Sequence, residues 1–365
     1  LSFAHPPRRL ERALDSLRRF VARLPKSERC DDTVRYEVLD LLREYADCLQ
    51  SEALDAEALR AGAADALWEL ADAAGPLDND NLELLIWCPQ RGVLSITCLD
   101  ASREIAARLG QFGQVLLMSA TLRPRDHFLS ACGLKEDDVS FLRGVAPWRG
   151  MAYEVAADLR VDTRFAYRAK YMDLTAQTVA DLHSASGRVG PVVAMFPSYR
   201  YAEDVADALA CSGAFLRVAM QPKGLDLAGQ RAFVEDSIER CDVLMLVLGG
   251  SYTEGIDALG GRVTHAIVVS PALPEADAVQ KARVENASGG RSRAFHDVYM
   301  VPGIRKVAQA LGRLVRAPGH RAKVLLHCKR FAEADYAALL DEDLRPQQLL
   351  ATRGELLEWL GEGME

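Results

Sequence analysis

The spacing of apolar residues predicts a helical first part of the chain. From residue 8 to about 75, apolar side chains recur three or four positions apart, as at Val38, Leu42 and Tyr45, which is the period of an amphipathic helix. Gly75 and Pro76, followed by the polar stretch 78–81, form a composition that ends helices. We therefore predict a helical segment over residues 1–80.

Residues 84–121 have a different pattern. Short apolar stretches at 84–87 and 94–97 predict two strands around a turn, and residues 101–109 predict a helix. The apolar run 114–118 ends in Ser119-Ala120-Thr121, which predicts a buried strand with small polar residues at its carboxyl end.

Beyond residue 165, hydrophobic strands alternate with helices. The predicted strands are 192–196, 215–218, 243–248, 264–269 and 323–327, and the predicted helices include 201–210, 227–240 and 304–316. Such alternation predicts an α/β fold, in which a mostly parallel sheet has helices on both faces and ligands bind at the carboxyl ends of the strands. This α/β region, residues 81–365, would follow the helical segment.

Composition narrows the class of protein. The 365 residues are 49% hydrophobic and 26% charged, as in soluble globular proteins, and no apolar run approaches the roughly 18 residues of a spanning helix. We expect a cytoplasmic protein without a membrane segment. A net charge of −8 means that any nucleic acid must be bound by a local basic face. Eight scattered cysteines without a C-x-x-C pair predict reduced thiols and no metal site. Because the chain begins with Leu1 rather than methionine, we expect it to be part of a longer protein.

A basic stretch is the most distinctive feature. Residues 304–331 contain eight Lys or Arg and no acid. Gln309, Arg313 and Arg316 are spaced i, i+4 and i+7, so they share one face of the predicted helix, and Gly312 would allow close approach of a phosphate. Guanidinium groups bind phosphate oxygens bidentately and stabilise the charge that develops in phosphoryl transfer. We predict contact with phosphate or nucleotide here, against the alternative of a solvated basic helix.

Two loops follow predicted strands directly. In residues 249–257 the glycines allow close backbone approach and the hydroxyls can donate to phosphates, while Glu254 and Asp257 can hold a ribose, a water or an arginine. The loop at 198–200, Ser-Tyr-Arg, suits a nucleic-acid backbone and a stacked base, although Ser198 could instead only cap the next helix. Ser119 lacks a G-x-S-x-G elbow, which disfavours serine hydrolase chemistry.

Taken together, segments 119–122, 196–199, 250–257 and 309–316 resemble, in order and spacing, motifs III to VI of superfamily 2 helicases. Glu254-Gly255-Ile256-Asp257 and Gln309-x-x-Gly312-Arg313-x-x-Arg316 are similar to the fifth and sixth motifs of the XPD/DinG family. The resemblance covers roughly residues 84–335 and implies that residues 81–365 are the second RecA-like motor domain of an ATP-dependent DNA helicase. Residues 1–80 are then expected to be the end of the helical arch inserted in the first motor domain.

The resemblance also implies residue roles. Arg313 and Arg316 would be the catalytic contacts to the ATP phosphates. The implied nucleotide-binding residues are Gln309, Gly312, Glu254, Gly255 and Asp257, and the implied DNA-binding residues are Ser119, Thr121, Ser198, Tyr199, Arg200, Ser251 and Tyr252. The implied activity is ATP hydrolysis coupled to 5′ to 3′ translocation on single-stranded DNA, in DNA repair or replication.

Parts of such a motor are missing from this sequence. It contains no G-x-x-x-x-G-K-[ST] loop and no Asp-Glu-x-His, and Asp341-Glu342-Asp343 lies beyond the last predicted strand, in an acidic stretch expected to be solvated surface. We therefore expect ATP and Mg²⁺ to be shared with an N-terminal motor domain of the same parent protein, which would also hold the family's iron–sulfur cluster, and we expect the chain to be inactive alone.

Two alternatives stay open. The first is a non-catalytic nucleic-acid or protein-binding module that keeps the helicase fold. The second is an unrelated α/β enzyme that uses Arg313 and Arg316 to bind a phosphorylated small molecule in a closed pocket, whereas a helicase half should expose the face that carries both arginines. Cys328 stands where the family often has Asp before Lys-Arg-Phe, and nothing in the sequence explains this change.

Overall fold

The computed structural model describes residues 8–51, 63–144, 146–187, 190–250, 252 and 258–362. The chain divides into two compact units. We call Leu1–Leu117, Arg125–Ser140 and Glu275–Ala294 the helical unit, and Met118–Pro124, Phe141–Pro274 and Phe295–Glu365 the sheet unit. The division does not fall at residue 80, because the strands that follow this position pack on the helices before it.

The helices and strands of the described residues are as follows. The helices are α1 (Arg8–Arg23), α2 (Asp32–Ser51), α3 (Ala63–Asp72), α4 (Ala74–Leu77), α5 (Ser102–Leu109), α6 (Arg125–Cys132), α7 (Met172–Ala185), α8 (Tyr199–Cys211), α9 (Leu227–Arg240), α10 (Ala278–Asn286), α11 (Gly290–Phe295), α12 (Val301–Leu311), α13 (Ala334–Leu339) and α14 (Arg353–Gly361). The strands are β1 (Glu83–Gln90), β2 (Val93–Asp100), β3 (Tyr153–Asp158), β4 (Val192–Phe196), β5 (Val218–Met220), β6 (Val243–Val247), β7 (His265–Val268), β8 (Ala322–Leu326) and β9 (Gln348–Leu350).

The helical unit has its own apolar core. Val38, Leu42 and Tyr45, which the helical period places on one face of α2, are all buried, and the antiparallel pair β1–β2 adds Ile86 to the same cluster. The Tyr45 hydroxyl donates to the carbonyl of Leu67 at 3.0 Å. Burial raises the pKa of Tyr45 to about 12, so the hydroxyl stays a donor. The predicted helical segment is therefore confirmed where the structure describes it.

The sheet unit is built on seven parallel strands in the order β5-β6-β4-β7-β8-β3-β9. Side chains of β4 alternate between two cores: Val193 and Met195 face one, Val192, Ala194 and Phe196 the other. A strand buried on both faces reads as a continuous apolar run, which is why the sequence located β4 and β6 so well. The predicted parallel sheet with helices on both faces is confirmed.

The apolar run 114–118 is not a strand, contrary to prediction. It has no regular secondary structure, and Leu116 and Met118 are 81% and 82% exposed. A continuous apolar run shows that a segment could be buried, but burial also needs a partner strand, and none of the described residues pairs with this run. The strand predicted at 215–218 is likewise displaced: β5 begins at Val218, and Phe215 is fully exposed.

A buried lysine connects the amino edge of the sheet to the last helix. Lys323, near the start of β8, is 1% exposed. Its Nζ donates to the carbonyls of Trp359 at 2.6 Å and Glu362 at 2.7 Å, and lies 3.2 Å from Glu154 Oε2. The last carbonyls of a helix have no partner within the helix, so the ammonium group of Lys323 serves as the carboxyl-terminal cap of α14.

His265 on β7 pairs in register with Lys323 and gives the fold a predictable pH dependence. The ring is buried and its Nδ1 lies 3.0 Å from Thr264 Oγ1. Burial, together with the charge of Lys323, lowers the pKa of His265 to about 4. Since an unfolded histidine titrates near 6.5, the stability present above pH ~6.5 should fall by up to about 3 kcal/mol as the pH drops toward 4.

Denaturant unfolding at pH 7 and pH 5 measures this loss. The His265→Gln variant should lose less stability than the wild type between the two pH values, whereas His320→Gln, which replaces a more accessible histidine, should keep the wild-type dependence. An identical change in wild type and His265→Gln would show that this ring does not govern the effect.

Candidate nucleotide and nucleic-acid site

Three polar loops meet at the carboxyl ends of β4, β5 and β6. These strands are neighbours in the order β5-β6-β4, so their carboxyl ends lie at one edge of the sheet. Residues 198–200 follow β4, residues 221–223 follow β5, and Gly249 and Gly250 follow β6. The structure thus brings the predicted Ser-Tyr-Arg loop together with the glycine turn. It adds residues 221–223, which were missed because the strand before them was predicted too early.

Tyr199 is held in place by the neighbouring loop. Gln221 Nε2 donates to the Tyr199 hydroxyl at 2.6 Å, and Gln221 Oε1 accepts from Val247 N at 2.8 Å. Lys223 Nζ lies 4.5 Å from the centroid of the Tyr199 ring, and Arg200 is exposed beside it. A fixed ring flanked by two cations can contact a base and its phosphates, which is the chemistry predicted for this loop.

Ser198 and Tyr252 have structural roles that differ from the predicted DNA contact. Ser198 is the N-cap of α8, and its Oγ accepts from Tyr201 N at 3.4 Å, as in the capping alternative. Tyr252 is 3% exposed, donates to the carbonyl of Pro222 at 3.1 Å and meets Phe233 edge to face at 6.0 Å. A ring buried in this way cannot stack on a base. Tyr252 instead stabilises the loop after β5 through its hydrogen bond to Pro222. Ser251 lies outside the described residues.

The glycine turn after β6 is crossed by a lysine from α12. Gly249 has a φ of +82°, and a Cβ at this position would lie 2.8–2.9 Å from the Cδ, Cε and Nζ atoms of Lys306. The backbone therefore needs glycine both for its conformation and for the passage of the lysine stem. Lys306 is one turn before Gln309 and carries no motif signal, so sequence reasoning did not select it.

The helix that carries the predicted arginines ends earlier than expected. α12 stops at Leu311, and Gly312 is its C-cap, with an N–H that donates to Ala308 O at 2.9 Å. The next two N–H groups reach carbonyls only three residues back, so the chain tightens and leaves the α-helix. The prediction that Gln309, Arg313 and Arg316 share one helical face is therefore wrong. Glycine at 312 favours this end because it is a poor residue for a helix interior.

The turn that contains both arginines packs against two further glycines. A Cβ on Gly260 would lie 2.8 Å from Arg316 Cγ, and Gly261 N donates to Leu314 O at 3.2 Å. Arg313 is half-buried and Arg316 is exposed. This turn lies near the amino end of β7, away from the loop at residues 198–200, which we call the Tyr199 loop. α12 connects the turn to the edge of the sheet at which the Tyr199 loop lies. The predicted nucleotide-binding residues Glu254, Gly255 and Asp257 lie outside the described residues. In the sequence they directly precede the segment that ends in Gly260 and Gly261.

Ser119 and Thr121 line a cavity of about 660 Å³ in the sheet unit. Thr121 N donates to Ser119 Oγ at 3.2 Å, and Arg305 of α12 lines the same cavity. Asp343, expected on the solvated surface, also lines it: its Oδ2 lies 2.6 Å from Arg149 Nε, and burial raises the pKa of Asp343 against the effect of that arginine. The cavity therefore combines hydroxyls with charges of both signs.

The family model described as the helicase C-terminal domain matches residues 182–347. These residues include the loops that follow β4, β5 and β6 and the turn that carries Arg313 and Arg316, which we call the arginine turn. This part of the chain is similar to helicase C-terminal domains. No curated protein matches the chain significantly.

Solved structures of XPD helicases have a fold similar to that of this chain. An XPD helicase structure matches 93% of this chain with 18% identity and a TM-score of 0.56, and 61% of its own length is covered. The S. tokodaii Xpd4 structure matches 95% of this chain with 15% identity and a TM-score of 0.57, and 67% of its length is covered. An XPD apo structure matches 94% with 18% identity and a TM-score of 0.54, and 69% of it is covered.

The chain therefore spans about two thirds of the length of the structures that it matches. The RecA-like fold and the resemblance to the XPD/DinG type are confirmed.

A buried polar network at the ends of β3 and β8 was not predicted. In the sheet unit, His327 Nδ1 lies 2.7 Å from Asp158 Oδ2 and Nε2 lies 3.0 Å from Thr175 Oγ1. Arg160 donates to both carboxylate oxygens of Asp158. Burial alone would raise the pKa of Asp158, but the hydrogen bonds from Arg160 and His327 outweigh it and hold that pKa well below its usual range. The network joins two strands and α7, and the side chains of Asp158, Thr175 and His327 in it are fully buried.

Within the described ranges, no group of three or more His, Cys, Asp or Glu could hold a metal ion. The sequence has no G-x-x-x-x-G-K-[ST] loop of the kind that cradles nucleotide phosphates. In the part of the chain that the structure describes, no helix combines the length and apolar character that a membrane span requires.

Proposed function

We propose that this chain is the second motor half of an ATP-dependent DNA helicase, which couples ATP hydrolysis to 5′ to 3′ translocation on single-stranded DNA in repair or replication. The observation that carries the proposal is the packing of the Arg313–Arg316 turn on Gly260 and Gly261. It places the arginines of the sixth motif beside the segment that follows the fifth. An exposed Arg316 suits a surface completed by another domain better than a closed small-molecule pocket.

In this proposal Arg313 and Arg316 contact the phosphates of ATP bound to a first motor domain. Their guanidinium groups stabilise the negative charge that develops on the transferred phosphoryl group. The first domain supplies the phosphate loop, which this sequence lacks, and the Mg²⁺ ligands, since no group of three or more His, Cys, Asp or Glu among the described residues could hold a metal ion. Gln309 lies on the last turn of α12 and orders the same surface.

The second part of the proposal concerns the DNA strand. Tyr199, Arg200, Lys223 and Lys306 would contact it at the carboxyl edge of the sheet, while Ser119 and Thr121 respond to the state of the nucleotide. α12 carries Lys306 at this edge and leads directly into the arginine turn. Its 11 residues span about 16 Å, so one rigid helix would transmit movement between the phosphates of ATP and those of DNA.

ATP hydrolysis by the full-length parent protein and by this chain alone, with and without single-stranded DNA, tests the proposal. We expect the parent to hydrolyse ATP faster when DNA is added, and the chain alone to show no turnover because the phosphate cradle and the metal site are missing. Turnover by the chain alone would contradict the proposal that a first motor domain must supply the phosphate loop and the Mg²⁺ ligands. Absence of turnover in the folded parent would favour the non-catalytic module. Displacement of streptavidin from 5′-labelled or 3′-labelled DNA reports the direction.

A further inference from the structure

The loop after β3 presents aromatic rings to solvent. We call residues 162–171 the aromatic loop; it follows the carboxyl end of β3, at the same edge of the sheet as Tyr199. Phe165 is 87% exposed and Tyr167 is 47% exposed. Rings in these positions contribute little to a core, so folding alone does not account for them.

The base of the aromatic loop is firmly anchored. Thr163 is fully buried, and Arg168 Nε donates to its carbonyl at 3.0 Å. The nearly buried carboxylate of Asp162 pairs with Arg164 and, at 3.1 Å, with Lys329. The backbone that carries the exposed rings is therefore tied to buried residues, which reduces the backbone entropy lost when a ligand packs on the rings.

Arginines stand beside these rings. Arg164 Cζ lies 5.1 Å from the centroid of Tyr167, and Arg168 Cζ lies 5.7 Å from that of Phe165 and 4.8 Å from that of Tyr201 on α8. Through Arg168 the aromatic loop thus adjoins the helix that begins at Tyr199. The aromatic loop contains three Lys or Arg and one acid, in a chain whose net charge is −8. The local excess of positive charge selects an anionic ligand.

We propose that the aromatic loop is a base-stacking platform for single-stranded DNA. Phe165 and Tyr167 stack on unpaired bases, while Arg164, Arg168 and Lys170 face the phosphates. Alternating rings and cations fit a single strand, because each base offers a flat face and each linkage one negative charge. The proposal rests on the proposed function and extends it. The strand would run from the Tyr199 loop to β3, three inter-strand spacings or about 14 Å across the sheet.

Fluorescence anisotropy with the full 365-residue chain tests the platform. Two probes of about 15 units are compared: oligo-dT and an abasic strand with the same number of phosphates. Phe165→Ala should weaken binding to oligo-dT about tenfold and leave binding to the abasic strand unchanged, because a stacking partner and no phosphate contact is lost. The slope of affinity against salt should stay the same for the same reason.

Two variants serve as controls. Phe215→Ala removes a fully exposed ring from the loop before β5 and should bind both probes like the wild type. Phe165→Trp should bind oligo-dT at least as well as the wild type, since the indole offers a larger face.

Equal losses on both probes, or no loss for Phe165→Ala, would overturn the platform while leaving the motor function to the hydrolysis experiment. A wild-type chain that binds neither probe at low salt would overturn the platform together with the DNA contacts proposed for Tyr199. Phe165→Ala that loses affinity for oligo-dT in a parent without ATPase activity would support the platform and contradict only the motor.

Discussion

Replacing either Arg313 or Arg316 by alanine should lower DNA-stimulated ATP hydrolysis by the full-length parent protein about a thousandfold or more, while single-stranded DNA still binds. Arginines that reach a transferring phosphoryl group from a second domain are worth about 10³ to 10⁵ in turnover rate. The two side chains sit on the same turn beside Gly260 but differ in exposure, so each is expected to contact the phosphates from its own direction. Steady-state hydrolysis at saturating ATP and DNA measures the loss.

Further variants separate a catalytic role from a structural one. Arg313→Lys and Arg316→Lys should recover little activity, because an ammonium group lacks the planar fork that binds two phosphate oxygens. Arg240→Ala, which removes an exposed arginine paired with Asp236 on α9, should hydrolyse ATP like the wild type. Thermal unfolding checks that each variant is folded. Undiminished hydrolysis in both alanine variants would remove the assigned role and favour the binding-module alternative.

Lys323→Met should reduce the free energy of unfolding by about 3 kcal/mol, the largest stability effect that we expect from a single substitution. Methionine fills the volume of the lysine stem, but it cannot donate to the carbonyls of Trp359 and Glu362, and it leaves Glu154 without its cation. The lost donor matters more than the lost charge, because the carbonyl of the buried residue Trp359 belongs to the backbone and stays in place whatever residue replaces the lysine. Denaturant unfolding at neutral pH gives the value.

Two companions identify the cause of this loss. Glu154→Gln should lower the free energy of unfolding less than Lys323→Met does, since the Glu154 side chain is one third exposed and its removal leaves both carbonyls paired with Lys323. Arg231→Met, which breaks an exposed pair with Glu235, should leave the free energy of unfolding almost unchanged. If Lys323→Met were as stable as the wild type, the cap of α14 would contribute nothing to the free energy of unfolding.

The centre of the sheet was predictable, because its strands are buried on both faces. β4 and β6 are continuous runs of large apolar residues, and the helices between them keep the amphipathic period. β3 was not predicted: its sequence Tyr-Glu-Val-Ala-Ala-Asp ends in a buried aspartate that pairs with Arg160 and His327. Such compensation comes from residues distant in sequence, and a local pattern does not contain it.

The candidate site was predictable where a loop follows a well-defined strand, and less so elsewhere. Tyr199 and Arg200 were selected because β4 was placed correctly. The burial of Tyr252 depends on Pro222 and Phe233, which only the fold brings near it. Lys306 was not predicted because its place in the site depends on its contact with Gly249, which is distant in sequence. The end of α12 at Leu311 shows that regular spacing of residues does not guarantee a continuous helix.

The position of Lys323 has a practical consequence for labelling. Because this residue holds the carbonyl of Glu362 at the amino edge of the sheet, the last residue that the structure describes lies on the side opposite the loops that carry Tyr199 and Lys223. A fluorophore or an affinity tag attached at the carboxyl terminus, or a surface to which that terminus is coupled, therefore leaves the loop edge open to a long oligonucleotide.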